Sequence, residues 1–301
     1  MIKFKRDKIW FELAILDKIM AKAIEQIEES LAVLEGAIAH LSTEFHHSYS
    51  NYLTSLGKAV RQQLILASYH LCTQGNPTGF LNLSLGEKQK LQQDIRQLGG
   101  QIQDQLLAQL LPENNSDSPA EVENSDGEEL FRTEEKAEFP REVNPQNPED
   151  LAQWQEELEK KIGQTLKNCS RDANRLLQQA GILPQQMPEA LLEAALKADS
   201  GHEVPGPPNL LNLMVEAHSD WAEPSAKGDR EPENPTFIQL IAIQLRLAEI
   251  ELADAAVMTG RHQIRHLVSQ LSRMRREYQK KQREKAIAEA ESAWRAIWVD
   301  E

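Results

Sequence analysis

Apolar residues in the first part of the chain recur in alternating steps of four and three residues. Eight members of this series keep the register: Met20, Ile24, Ile27, Leu31, Leu34, Ile38, Leu41 and Phe45. Apolar side chains at this spacing share one face of an α-helix and form a seam against other helices. The polar cluster 46–51 is a candidate turn, which predicts an antiparallel helical hairpin ending near Thr73. One unbroken helix is the alternative.

A third helix is indicated after a break at 75–79, where glycine, asparagine and proline stand together. Ser84 and Glu87 have the spacing of a capping box, in which both side chains satisfy free N–H groups at a helix start. The apolar face that follows consists of Leu91, Ile95, Leu98, Ile102 and Leu106. We expect this helix to run to about Leu111, weakened at Gly99–Gly100.

Helical patterns return in the second half of the chain. Asn147 and Pro148 form a helix start, and apolar residues follow at helical spacing until Gly181 ends the helix. A short helix is expected to follow as far as Ala198. The last helical region is expected to begin at Thr236 and to break near Thr259 and Gly260, before a long helix runs to about Trp298.

Acidic stretches separate these helices. Residues 113–150 hold 13 acidic and 3 basic residues and few apolar ones. Such a segment buries too little apolar surface to offset the entropy of ordering it, so we expect 113–148 to be a disordered linker. The same reasoning predicts a flexible linker over 199–235, interrupted by a short apolar helix at 209–217.

These patterns predict an all-α protein. We expect long amphipathic helices that form an elongated helical bundle or antiparallel coiled coil with acidic disordered linkers, in two helical units of roughly 1–112 and 149–301. Seams of this length often pack against a second chain, so a homodimer is expected. The predicted segments are 1–112 (hairpin plus third helix), 113–148 (linker), 149–198 (helical), 199–235 (linker) and 236–301 (long basic helix region).

Composition limits the fold and the compartment. Aromatic residues make up 5% of the chain and β-branched residues are few, which disfavours a sheet protein. Cys72 and Cys169 fall on apolar helical faces, so we expect small core residues rather than a disulfide framework or a cysteine metal site. No apolar run reaches the ~18 residues that a membrane span needs. The expected location is the cytoplasm, with reduced thiols.

Catalytic and cofactor motifs are not found in the sequence. The glycines at 75–79 and 99–100 lack the lysine and the spacing of a phosphate-binding loop. His262 and His266 stand four residues apart, as metal-binding pairs do, but Arg265 between them disfavours a cation. The sequence therefore predicts no enzyme, no cofactor and no metal site.

The strongest charge feature lies near the C-terminus, where residues 260–285 hold nine basic and two acidic residues. At ~100° per residue, six of the basic residues share an arc of about 120°, opposite an apolar seam that includes Ile264 and Leu271. These six are Arg261, Arg265, Arg273, Arg276, Lys280 and Arg283. Three interpretations are open: a face that is solvated or docked on the chain's own acidic linkers, a site for an acidic protein partner, and a contact for nucleic acid.

Two apolar groups are candidates for partner binding. Trp294 and Trp298 are four residues apart, which places both indoles on one helix face, and aromatic anchors often carry interface energy. In the short apolar stretch the candidates are Leu210, Leu213 and Met214, in the form of a tethered helix that docks in a groove. For both groups, packing in the protein's own core is the alternative.

Two stretches carry a resemblance to known proteins. Residues 84–99 (SLGEKQKLQQDIRQLG) and 278–298 (YQKKQREKAIAEAESAWRAIW) resemble conserved uncharacterised helical proteins of cyanobacteria. The resemblance implies a helical, cytoplasmic protein, and some helical proteins of that group are linked to cell differentiation and gene regulation.

The functional expectation follows from the seams and the absence of a catalytic motif. We expect a non-enzymatic scaffold or regulatory protein that binds a protein partner through coiled-coil and terminal-helix contacts. The alternative is a nucleic-acid-associated regulator that uses the basic helix 261–285.

Overall fold

Helices make up most of this chain, whose computed structural model describes residues 2–110, 144–184, 207–217 and 236–299. The helices are α1 (Ile2–His70), α2 (Pro77–Asn82), α3 (Leu85–Ala108), α4 (Pro148–Gln179), α5 (Leu247–Ala253) and α6 (Ala255–Val299). The strands β1 (Leu210–Ala217) and β2 (Thr236–Ile243) form one small sheet. The prediction of an all-α helical protein is confirmed for the fold as a whole.

The predicted hairpin turn at 46–51 does not exist, because α1 continues through it without a break. Phe45, Tyr49 and Tyr52 are buried and extend the apolar seam, while the polar residues between them lie mostly on the solvent face. Polar residues at helical spacing therefore line one side of the helix instead of turning the chain. The structure has the unbroken helix that was the alternative.

The break after α1 is confirmed. A π-helical turn (Leu71–Gly75) ends α1, and Asn76 caps α2 by accepting a hydrogen bond from the Gly79 N–H at 2.9 Å. The capping box of α3 is also confirmed: the Ser84 N–H donates to Glu87 Oε2 at 2.7 Å, and the Glu87 N–H donates to Ser84 Oγ at 3.3 Å.

Two glycines set the distance between α1 and α3. A Cβ on Gly99 of α3 would lie 2.9 Å from Arg61 Cγ, and one on Gly57 of α1 would lie 2.7 Å from Gln103 Cγ and 3.1 Å from its Cα. The helix backbones therefore approach too closely for a side chain at either position. This contact explains why α3 keeps glycine at a helical position that the sequence marked as weak.

Gly57→Ala is expected to destabilise the protein by about 1–2 kcal/mol. The steric cost of an added methyl in a packed interface is about 1–3 kcal/mol, and the higher helix propensity of alanine offsets about 0.5–1 kcal/mol of it. Gly36→Ala, on the same helix with open space around its Cβ, is the matched control and should be neutral or stabilising. Urea unfolding followed by circular dichroism measures both. Equal midpoints would contradict the close-approach argument.

The start and end of α4 agree with the sequence analysis. Asn147 Oδ1 accepts a hydrogen bond from the Glu149 N–H at 3.1 Å, as an N-cap residue does. At the other end Gly181 has a φ of 72°, and the Ile182 N–H donates to the Leu177 carbonyl at 2.9 Å. This left-handed glycine closes the helix in the usual way.

The stretch 209–217 is not a short helix, and the last region does not begin as one. Residues 210–217 and 236–243 pair as antiparallel strands from Leu210↔Ile243 to Ala217↔Thr236. The sequence of β2, TFIQLIAI, is rich in β-branched and aromatic residues, which fit a pleated strand although the whole chain is poor in them. Global composition therefore misled the prediction at this place.

The break expected near Thr259–Gly260 lies further upstream. Asp254 separates α5 from α6, and its Oδ1 accepts hydrogen bonds from the N–H groups of Ala256 at 2.8 Å and Val257 at 3.1 Å. Helix α6 then runs through Gly260 without interruption. Aspartate at an N-cap is favourable because its carboxylate satisfies free N–H groups at the positive end of the helix dipole.

The described chain divides into two compact units. The first comprises Met1–Ser48, Pro112–Glu157 and Gln263–Glu301, and the second comprises Tyr49–Leu111 and Leu158–His262. This division differs from the predicted units 1–112 and 149–301, because α1, α4 and α6 each contribute residues to both compact units. Most of the predicted linkers 113–148 and 199–235, and the helix expected to end at Ala198, lie outside the described residues.

Each unit has its own apolar core. In the first unit the core includes Leu31, Ile38, Leu41, Phe45, Leu151, Ile264, Leu267 and Leu271. In the second it includes Leu53, Leu56, Val60, Leu64, Ile102, Leu106, Ile162, Leu166, Ile250 and Val257. The predicted helical seams are thus the surfaces that these helices bury.

Both cysteines are free and buried, as expected of core residues. Burial raises the pKa of Cys72 to about 11, and burial followed by the charge of Asp172 raises the pKa of Cys169 to about 12. The thiol form is therefore favoured at both positions.

No helix in the described ranges has a stretch long and apolar enough to cross a membrane.

Candidate partner-binding surface of the C-terminal helix

The inner face of α6 packs as the sequence predicted. Ile264, Leu267 and Leu271 are buried, and Met274 and Tyr278 are half-buried further along the same face. The Tyr278 hydroxyl donates a hydrogen bond to Glu35 Oε1 of α1 at 3.2 Å. These contacts fix the rotation of α6 about its axis and so decide which residues face solvent.

Five basic residues occupy the outer face of α6. We call this set the basic row: Arg265, Arg273, Arg276, Lys280 and Arg283, all of which are exposed. Lys280 lies 3.9 Å from Glu284, while the four arginines make no hydrogen bond or ion pair with any residue that the structure describes. With a rise of 1.5 Å per residue, the basic row spans about 27 Å of helix. The predicted outward stripe is correct for these five residues.

Arg261 is not part of the basic row, contrary to the sequence prediction. Its side chain is 11% exposed, and its Nε lies 2.6 Å from Glu251 Oε1 and its Nη1 lies 2.5 Å from Glu159 Oε1. The guanidinium also stacks on the ring of Tyr52, 4.6 Å from the centroid, and donates to its hydroxyl oxygen at 2.6 Å. The reason for the difference is that α1, α4 and α5 each supply a partner at this level of α6.

Two tyrosines complete this cluster, which we call the Arg261 network: Tyr49, Tyr52, Glu159, Glu251 and Arg261. The hydroxyl of Tyr49 donates to Glu159 Oε1 and that of Tyr52 donates to Glu251 Oε1, both at 2.7 Å. Burial raises the pKa of Tyr52, despite the opposing charge of Arg261. Every member therefore has a charged or hydrogen-bonded partner, which is the arrangement that makes a buried charge tolerable.

The pKa of Arg261 shows which interactions dominate in the network. Burial alone lowers the pKa, while the hydrogen bond to Glu159 and the charges around the guanidinium raise it, and the net change is upward. Arg261 is thus held in its charged form. Gly260 makes the approach possible, since a Cβ at that position would lie 3.2 Å from the Tyr52 ring. We interpret the network as structural.

The remaining basic residues of the region are paired within the first unit. Arg275 lies 2.5 Å from Glu149 Oε2 through Nη2 and donates from Nε to Glu149 Oε1 at 2.7 Å. Gln279 donates to the same oxygen at 2.6 Å, and these bonds, led by that from Arg275, lower the pKa of Glu149. Lys285 pairs with Glu28 at 2.9 Å. Pairing thus distinguishes these residues from the four arginines of the basic row.

Trp294 extends the outer face of α6. The Trp294 side chain is 66% exposed and Ile287 is 50% exposed. Trp294 follows Arg283 by eleven residues and Arg276 by eighteen, so helical spacing places it on the same side of α6 as the basic row. Trp298 lies in α6, with a side chain outside the described part of the structure.

The other predicted apolar site belongs to the small sheet. Leu213 and Met214 lie in β1, with side chains outside the described part, and Leu210 is half-buried at its base. The base is built into the second unit, because Asn209 Oδ1 accepts from the Arg246 N–H at 3.0 Å and Asn209 Nδ2 donates to Gln63 at 3.1 Å. The tethered-helix interpretation is therefore wrong in its secondary structure.

Metal binding finds no support in the described ranges, which contain no group of three or more histidine, cysteine, aspartate or glutamate side chains able to hold an ion. His262 and His266 are exposed, and the His266 ring lies 3.0 Å from the Gln270 amide nitrogen.

Comparisons with protein-family models, with curated proteins and with solved structures find no match to this chain.

Proposed function

We propose that this protein is a non-enzymatic scaffold or regulatory protein that binds an acidic protein partner through the outer face of α6. The observation that carries the proposal is the basic row, in which four exposed arginines align without a partner among the described residues and lead towards an exposed Trp294. Residence in the cytoplasm, with reduced Cys72 and Cys169, is part of the proposal.

The chemistry of arginine favours a carboxylate-bearing partner. A guanidinium offers five N–H donors in a planar fork that matches a carboxylate, and it is more weakly hydrated than an ammonium group. Arg276 and Arg283 are seven residues apart and Arg273 and Lys280 are too, so a partner helix with carboxylates at heptad spacing meets two pairs at once. Trp294 then supplies an aromatic anchor of the kind that often dominates binding energy.

The test compares the proteins captured by three forms of the full chain at low salt. The charge variant carries Arg265→Gln, Arg273→Gln, Arg276→Gln and Arg283→Gln. Its control carries Lys22→Gln, Lys58→Gln, Lys90→Gln and Arg96→Gln, which remove the same charge from exposed positions on α1 and α3. We expect acidic proteins captured by the wild type to be retained by the control and reduced at least tenfold with the charge variant.

Trp294→Ala separates the aromatic anchor from the charge. The same acidic proteins should bind this variant about 30-fold more weakly, because an interface aromatic contributes on the order of 2 kcal/mol or more when it is a binding hot spot. Quantitative mass spectrometry of the captured proteins reads out every arm. Identical capture by the charge variant and the wild type would refute the proposal.

Nucleic acid is the second candidate, because the exposed arginines span about 27 Å and phosphate accepts the same bidentate hydrogen bonds as carboxylate. A net charge of −14 over the chain opposes it. Titration of a labelled 20-base-pair DNA duplex at two salt concentrations is the check. Four phosphate contacts predict a log–log salt slope of about −3.6 that falls towards zero in the charge variant.

A further inference from the structure

The basic row also has a candidate ligand within the chain itself. We propose that the acidic residues 113–143, which lie outside the described part of the structure, bind the basic row in cis and compete with the acidic partner for it. This inference rests on the proposed function, since it names what regulates the same surface.

The position at which the acidic segment ends favours this proposal. It ends four residues before Asn147, the N-cap of α4, and the first turn of α4 is bonded to α6 through Glu149, Arg275 and Gln279. Arg275 and Gln279 are adjacent in sequence to Arg276 and Lys280 of the basic row. An extended chain rises at most ~3.6 Å per residue, so residue 143 lies within about 22 Å of the Glu149 contact.

The length of the acidic segment also favours the proposal. Arg265 and Arg283 lie ten and eight residues from Arg275, which is about 15 Å and 12 Å along the helix. A chain of 31 residues can extend to at most about 110 Å. Residues 113–143 are therefore long enough to reach every residue of the basic row from residue 144, where the described part of the chain resumes.

The charges of the acidic segment and of the basic row are complementary. Residues 113–143 hold 11 acidic and 3 basic residues, while the basic row holds five positive charges and its four arginines have no partner among the described residues. A short tether gives an effective concentration in the millimolar range, so even a weak electrostatic contact is well populated in cis. Exposed charges more than about 8 Å apart are largely screened at physiological salt, so the attraction acts once the segment is close to the basic row and weakens as salt is added.

A second copy of the same surface is a poorer occupant. Two α6 helices packed through their outer faces would bring Arg273, Arg276 and Arg283 close to one another in either orientation, and juxtaposed like charges destabilise an interface. The cis segment instead brings carboxylates to every arginine of the row. The acidic protein partner must then displace this segment. The affinity of the partner therefore depends on the partner's own negative charge and on its contact with Trp294.

The experiment adds the segment back as a peptide. A fluorescein-labelled peptide of residues 113–143 is titrated by anisotropy, at 20 mM NaCl, into the wild type and into a full chain whose residues 113–143 are replaced by a glycine–serine linker of equal length. We expect the linker-replaced chain to bind at least tenfold more tightly, because its basic row is vacant. The charge variant in that background should lose binding. The control variant, in which Lys22, Lys58, Lys90 and Arg96 are replaced by glutamine, should keep it.

Three results would overturn the inference: equal affinity of the peptide for both chains, binding that survives the charge variant, or a linker-replaced chain that binds a 20-base-pair DNA duplex but not the peptide. The first two leave the proposed function intact if capture of acidic proteins still depends on the basic row. Conversely, peptide binding at the row combined with unchanged capture by the charge variant supports the cis contact and refutes the proposed function. Circular dichroism confirms that each variant is folded.

Discussion

Arg261→Met is expected to lower the free energy of unfolding by about 3–5 kcal/mol, the usual cost of removing one partner from a buried ion pair. The substitution leaves Glu159 and Glu251 without the cation that both contact, at side-chain exposures of 26% and 13%. It also removes the stacking on Tyr52. This loss is a large fraction of the 5–15 kcal/mol that stabilises a typical domain.

Hydrogen exchange followed by mass spectrometry locates the effect. Protection should fall in peptides of α1 and α4 that belong to the second unit, around Tyr52 and Leu158, and urea unfolding measures the total change. Arg265→Met, one turn further along α6 on the exposed face, is the matched control and should change stability by less than about 0.5 kcal/mol. If both substitutions have the same small effect, Arg261 does not hold the network together.

Arg261→Lys separates charge from geometry. Lysine keeps the positive charge but replaces the planar fork by a point charge, so it cannot contact Glu159, Glu251 and Tyr52 with the same set of bonds. We expect a stability between those of the wild type and Arg261→Met. A lysine variant as stable as the wild type would show that charge alone is sufficient.

The Arg261 network shows where sequence analysis reaches its limit. On a helical wheel Arg261 lies about 40° from Arg265, so the pattern of α6 alone places both on the outer face. The partners that turn it inward are 102 residues away in Glu159 and 209 residues away in Tyr52. Periodicity within one helix carries no information on which other helix covers it, so this feature required the tertiary structure.

Sequence signals that act between neighbouring residues were predicted correctly at three helix ends. The capping box of Ser84, the N-cap Asn147 and the left-handed Gly181 each act through backbone groups within a few residues, and each was found where the sequence indicated. The outward orientation of Arg273, Arg276 and Arg283 follows in the same way from the apolar seam opposite. Those residues form the surface on which the functional proposal depends.

The two strands were missed for a different reason. Strand pairing between Leu210 and Ile243 depends on a register across a separation of 33 residues, and each strand alone reads as a short apolar run that also fits a buried helix. What holds the base of the sheet is polar: Asn174 on α4 donates to the Ile243 carbonyl at 2.9 Å and accepts from its N–H at 2.8 Å. A mid-helix asparagine gives no signal of this role in the sequence.

Asn174→Ala is expected to cost about 2–6 kcal/mol, because it leaves both the N–H and the carbonyl of Ile243 without a partner. Both bonds are buried, and an unsatisfied buried donor or acceptor costs about 1–3 kcal/mol. The cost should be concentrated in the sheet, so the amide of Ile243 should exchange with solvent much faster than in the wild type. Urea unfolding and site-resolved hydrogen exchange measure the two effects.

Gln164→Ala is the matched control on α4, because the Gln164 side chain is exposed and bonds only to Asn168 among the contacts described for it, at 2.9 Å. It should change stability by less than about 0.5 kcal/mol. Ser170→Ala gives an intermediate case, since Ser170 Oγ accepts one buried bond from the Leu245 N–H at 2.9 Å, and should cost about 1 kcal/mol. If Asn174→Ala instead leaves the exchange of Ile243 unchanged, apolar packing rather than this amide holds β2 against α4.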